Sequence, residues 1–160
     1  MELRAQPLAA EAFAPFGQVF AAPAEKGRIY LDEQLATARP TWRTSLSLSR
    51  SGPPATLPLV ATRMERHAYS TQTFVPLEPA RYLILVAPRA ANGPDVAQAR
   101  AFVAAPGQGI TYAMNTWHHP MTVLDAPAGF AVMMWRDDGP DDEYWHTLAQ
   151  PITVLPPLSF

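Results

Sequence analysis

The sequence predicts an all-β fold, and three observations carry that expectation. Eighteen prolines and eight glycines recur between short apolar runs, and proline breaks helices and central strands alike, so the chain is cut into many short elements. Residues 44–50, TSLSLSR, alternate leucine with serine, the period-2 pattern of a half-buried strand. Residues 81–88 and 129–136, RYLILVAP and GFAVMMWR, are continuous apolar runs too short for buried helices, and they read as strands covered on both faces.

Taken in order, the elements begin with one short N-terminal helix, because Leu8, Ala12 and Phe13 recur at near-helical spacing until Pro15 and Gly17 end it. Residues 23–40 and 87–99 read as loop-rich. In the 44–50 strand Leu46 and Leu48 are expected on the core face, and Arg50 shares their parity. In residues 63–79, RMERHAYSTQTFVPLEP, an extended strand sends Glu65, His67 and Tyr69 to one face and Met64, Arg66 and Ala68 to the other. A turn at Ser70 and Thr71 then returns Gln72 beside them. Pro106, Gly107 and Gly109 supply a turn between two strands in residues 100–112, and Asp125, Pro127 and Gly129 supply the next. The sum is a set of short antiparallel strands, which must hide its edges in a sandwich, a jelly roll or a small barrel.

Composition bounds the function. The 160 residues suit a single domain, 1–160, and with 48% hydrophobic and 16% charged residues the chain can fill a core. A net charge of −2 with 12 scattered basic residues leaves no electrostatic footprint for nucleic acid or an anionic membrane. No run reaches the ~20 apolar residues of a membrane span, the N-terminus does not read as a signal peptide, and the lack of cysteine suits the cytoplasm.

Two motifs carry chemistry. Glu65-x-His67-x4-Gln72 matches the first metal motif of cupins in spacing, with glutamate for its first histidine and glutamine for its glutamate. Ala113-x-Asn115-x2-His118, behind a Gly-Gln-Gly turn, is similar to the second, P-x-G-x2-H, with only the histidine kept. Their order and separation suit facing strands of a cupin-like double-stranded β-helix. Imidazole nitrogens and carboxylate oxygens are good ligands for zinc, nickel, manganese or iron, so Glu65, His67, Gln72 and His118 are the candidate ligands of a divalent metal. His119 has the opposite parity to His118 and is expected outside. Each residue also has a plainer reading: Glu65 and His67 as a surface ion pair, Arg50 laying its stem over apolar surface, Gln72 satisfying a barrel-end hydrogen bond. The acidic run Asp137, Asp138, Asp141, Asp142 and Glu143 lacks the spacing of a calcium loop and reads as a solvated loop. Trp145 and His146 stay unassigned, since a barrel cap or a subunit contact reads as well for them as a contact with substrate.

With these blocks in place, the chain resembles the ureidoglycolate lyase family, also known as ureidoglycolate hydrolase. AEAFAPFGQVF (10–20), LSLSRSGP (46–53), ERHAYSTQTFVPL (65–77) and GQGITYAMNTWHHPM (107–121) are similar to family blocks in the same order, from residue 3 to about 135. The resemblance implies a cytoplasmic homodimer with a cupin fold that cleaves ureidoglycolate to glyoxylate and urea, a late step in using allantoin as a nitrogen source, with nickel or another divalent metal as the associated cofactor. That carbinolamide needs a base for its hydroxyl proton and an acid for the departing urea nitrogen. His67 and His118 are the acid and base candidates, Glu65 orients one of them or acts as base, Arg50 clamps the carboxylate and Gln72 binds the ureido group. The chain departs from the family pattern near residues 29–39, 113–114 and 135–146. Those departures keep two alternatives in view: a non-catalytic cupin that binds a small carboxylate, and a metal-dependent cupin oxygenase or isomerase.

Overall fold

The run Tyr82–Ala87 explains how the layers form. All six residues are buried because the strand has core on both faces. Tyr82, Ile84 and Val86 join an inner cluster with Phe13, Phe74, Phe102, Ile110, Phe130 and Val132, while Leu83, Leu85 and Ala87 join a second cluster with Met64, Trp117 and Ile152. The structure is a computed structural model that describes residues 1–137, 139–140 and 142–158; of the acidic run, Asp138 and Asp141 lie outside the described residues.

Tyr82–Ala87 belongs to an eight-stranded sheet ordered Glu2–Arg4, Glu143–Leu155, Leu59–His67, Trp117–His118, Tyr82–Ala87, Arg100–Ala104 and Gln6–Pro7, with Thr122–Val123 pairing beside Tyr82–Ala87. A five-stranded sheet runs Gly17–Phe20, Gly109–Tyr112, Gln72–Pro76, Ala128–Arg136 and Arg43–Ser51. The inner cluster takes Phe74, Ile110, Phe130 and Val132 from the second sheet and Tyr82, Ile84, Val86 and Phe102 from the first, so the sheets close on one another as a cupin-like jelly-roll barrel. The helix, Ala10–Phe13, plugs this interior with Phe13, whose ring lies 5.9 Å from that of Phe102 and 6.1 Å from that of Tyr112. No helix among the described residues is long and apolar enough to cross a membrane.

The turn at Pro106 and Gly107 joins two strands as expected and carries the chain from one sheet to the other, with Gly107 in the left-handed region at φ 85°. Two expectations need correction. Pairing is not wholly antiparallel, since Glu2–Arg4 runs parallel to Thr153–Leu155 and Gln6–Pro7 parallel to Phe102–Val103. In Arg43–Ser51 the faces are reversed: Leu46 and Leu48 are 64% and 75% exposed, and the serines stand opposite the inward residues of the neighbouring strand, Ser49 against Phe130 and Ser47 against Val132. A period-2 pattern separates two faces without saying which is inside. The strand lies at a sheet edge and pairs on one side only, so the register against Ala128–Arg136 decides.

Candidate active site

The strand Leu59–His67 sends Glu65 and His67 to the barrel interior, and Glu65 is directly opposite His118 of Trp117–His118. Gln72 enters from the facing sheet, sharing inward parity with Phe74. Glu65, His67 and Gln72 line one wall of a cavity of about 260 Å³ whose other walls include Trp42, Met134, Arg136 and Asp142. His118 lies one layer deeper, 1% exposed, behind Glu65. Arg50 is absent from this wall. Its side chain follows the exposed leucine face and pairs with Glu78 at 3.2 Å on the surface, so the reversed faces of its strand remove it as a carboxylate clamp.

The loop before His118 explains the second motif. Asn115 has φ 67°, the non-glycine residue in the left-handed region among those described. Asparagine tolerates that conformation, so it can stand where the cupin motif has glycine. Its N–H donates to the His67 carbonyl at 2.8 Å, which ties the loop to the opposite motif.

Each histidine is held from behind. The Thr116 carbonyl lies 3.0 Å from His118 Nδ1; a carbonyl only accepts, so Nδ1 carries the hydrogen. The Tyr112 ring stacks on this imidazole with centroids 4.1 Å apart and planes 12° from parallel. His118 Nε2 then stands 3.5 Å from Oε1 of Glu65, an ion-pair distance rather than a tight hydrogen bond. Burial pushes the Glu65 carboxyl up, but His118, reinforced by His67 and His119, outweighs it and holds the group below the ordinary carboxylate value. His67 donates from Nδ1 to Oδ2 of Asp142 at 3.0 Å, and Asp142 also accepts the Tyr69 N–H at 2.7 Å. Burial also keeps the Tyr112 phenol well above its ordinary pKa, so this ring is neutral.

Asp142 is the largest departure from the sequence reading: expected in a solvated loop, it is buried and partnered to the site. Charge composition carried no signal for this. Arg136 was legible in principle, since it continues the inward parity of Phe130, Val132 and Met134. Trp42 arrives from a loop and had no periodic signal.

Among the described residues, three buried atoms around the cavity lack a hydrogen-bond partner: His67 Nε2, His118 Nε2 and Gln72 Oε1. Imidazoles pinned through Nδ1, with Nε2 left over, are held as metal-ligating histidines are held. The donor types of Glu65, His67, His118 and Gln72 therefore fit a divalent cation. Among the described residues no three His, Asp or Glu side chains converge into a ready-made cage, so the fit is one of chemistry rather than of a closed site.

A family model described as ureidoglycolate lyase matches residues 1–154. A ureidoglycolate lyase of Mesorhizobium japonicum is 39% identical over 153 residues, 90% of this chain and 92% of that protein. One of Burkholderia cepacia is 40% identical over 141 residues, covering 82% and 78%. Among solved structures, a dTDP sugar isomerase from Desulfovibrio desulfuricans aligns with 84% of this chain and 83% of its own, at 15% identity and a TM-score of 0.46.

Proposed function

The chain belongs to the ureidoglycolate lyase family, and from that premise we propose that it cleaves ureidoglycolate to glyoxylate and urea, with Glu65 and His67 as the reacting pair. The observation that carries this reading is that both side chains line the cavity and each is held by a buried partner, His118 for Glu65 and Asp142 for His67.

The reaction consumes no water. A base removes the hydroxyl proton, the electron pair left on oxygen forms the second bond of the glyoxylate carbonyl, the C–N bond breaks toward nitrogen, and an acid protonates the departing urea nitrogen. Glu65 suits the base, because a carboxyl held below its ordinary value is ionised throughout the neutral range. His67 suits the acid, with Nε2 toward the cavity, while Asp142 fixes Nδ1 and balances the charge of the protonated ring. His118 acts through Glu65 as a positioning residue. Gln72 offers an amide to the ureido group. Arg136 at the cavity wall takes over the role expected of Arg50, because a guanidinium matches a carboxylate bidentately. A divalent metal, were it held by Glu65, His67, His118 and Gln72, would take the place of these direct acid and base roles and supply Lewis-acid polarisation of the substrate's oxygens.

Glyoxylate release from racemic ureidoglycolate, corrected for spontaneous breakdown, is the test. Release well above the spontaneous rate is expected. Activity that survives a chelator assigns the acid and base work to the side chains themselves, whereas loss on chelation with recovery on added nickel, manganese or zinc assigns the Nε2 lone pairs to a metal. No release with any metal overturns the proposal and favours a carboxylate-binding cupin.

We propose further that the protein acts as a cytoplasmic homodimer built on the outer face of the five-stranded sheet. Leu46, Leu48, Val75 and Leu77 are exposed there, and the register sets Ala131 between Leu48 and Val75, and Leu46 beside Met133. Such a continuous apolar strip on a free sheet edge suits a self-complementary contact. Leu48→Asp is expected to convert a dimeric mass to a monomeric one in light scattering; an already monomeric wild type overturns the proposal, and cell fractionation checks the compartment.

A further inference from the structure

The strands that carry the cavity present a chemically different set of side chains on their other face. Arg66 lies between Glu65 and His67 and points outward, and Trp117 does so beside inward His118. The Arg66 guanidinium carbon sits 5.2 Å from the Trp117 ring centre and 4.4 Å from that of Tyr144, and one Nη donates to Oδ1 of Asn115. Arg66, Arg89, Trp117, Tyr144 and His146 line a second cavity of about 220 Å³, and no carboxylate is among its described lining residues. The hairpin Arg89–Ala90 with Gly93–Pro94 forms one side. Gly93, at φ 149°, makes this close approach possible, since a Cβ there would stand 2.6 Å from Cε1 of His146.

Two observations point to a ligand. Nε–H of Arg66 and Nε1–H of Trp117 are buried without a hydrogen-bond partner, although Trp117 is only 5% exposed, and buried donors of this kind are ordinarily paired. Burial depresses the Arg66 guanidinium, and the nearby charge of Arg89 adds to that effect, so the two arginines stand near enough to repel one another. An anion would relieve the repulsion. The aromatic walls select its shape, because Trp117, His146 and Tyr144 present rings, and a planar ligand is held by stacking.

We propose that this outer pocket binds a small aromatic carboxylate, its charge taken by Arg66 and Arg89 and its ring held against the aromatic wall. The site is separate from the inward cavity and independent of the lyase assignment. A guanidinium and a carboxylate form charge-assisted hydrogen bonds, so charge and ring should both be required.

The experiment is a titration of the whole protein with benzoate, followed through the indole N–H resonance of Trp117, which a Trp117→Phe spectrum identifies. Benzoate is expected to shift that resonance saturably, while benzamide and acetate bind at least about tenfold more weakly, a factor worth one charge-assisted contact. Arg89→Ala should weaken benzoate by a similar factor and leave lyase turnover unchanged, and His67→Ala should leave benzoate binding intact. A Trp117 resonance that stays fixed overturns the proposal. So does benzoate binding that is lost in His67→Ala and kept in Arg89→Ala, which would place it in the inward cavity. Acetate or inorganic phosphate binding as well as benzoate would overturn the aromatic requirement.

Discussion

Replacing His67 with alanine is expected to lower kcat for glyoxylate release by about 10²–10⁴-fold, the range for losing a positioned acid. The imidazole lines the cavity and its Nε2 has no other partner among the described residues, so nothing else in that position can protonate the leaving nitrogen. The substitution also strands the buried Asp142 carboxylate, which costs stability. His67→Asn keeps an amide donor for Asp142 and separates the two effects: it should fold better than the alanine variant and be no more active. Arg50→Ala is the matched control, because Arg50 pairs with Glu78 on the surface and such exposed pairs contribute little. If Arg50→Ala abolished turnover while His67→Ala retained it, the assignment of both residues would fail.

Asp142→Asn tests the same pair from behind. Asparagine can present oxygen or nitrogen to Nδ1, and presenting nitrogen would demand the other histidine tautomer. A positioning role predicts lower kcat at little-changed KM with an altered pH profile, which a purely structural role would not produce.

What was legible in the sequence follows from what strand parity encodes. Glu65 and His67 share a parity, and the structure sends both inward; Tyr82–Ala87 was continuously apolar, and it has core on both faces. Parity cannot say which of two faces is inside when both are plausible. The leucines of Arg43–Ser51 took the outer face because register against Ala128–Arg136 overrode the apparent amphipathicity, and Arg50 went with them. Asp142 was hidden for a different reason. Its role depends on the pairing of Glu143 with His67 across the sheet, a contact between segments far apart in the chain that no local pattern announces. Asn115 is the intermediate case: the degenerate motif contained the right physical clue, an asparagine where glycine is usual, and the positive φ gives that substitution its reason.

Glu65→Gln is expected to cost as much in kcat as the loss of His67, about 10²–10⁴-fold, since glutamine is nearly isosteric with glutamate but cannot accept the hydroxyl proton at neutral pH. Its stability profile distinguishes the carboxylate's charge from its shape. Burial opposes ionisation of Glu65, yet His118, with His67 and His119, holds its folded pKa below the ordinary 4.5. A depressed carboxyl contributes stability that is fully present above the unfolded value and is lost as pH falls through the folded one. Urea unfolding of wild type and Glu65→Gln should therefore show the full difference at neutral pH, a shrinking difference as the pH falls from about 4.5 toward the folded value, and no contribution from this charge below it. The acid limb of wild-type turnover that belongs to Glu65 should lie below the ordinary carboxylate value for the same reason. A stability difference that grew on acidification would mean that burial, not the histidines, controls Glu65; the group would then be a neutral acid at the working pH, and the roles of Glu65 and His67 would have to be exchanged.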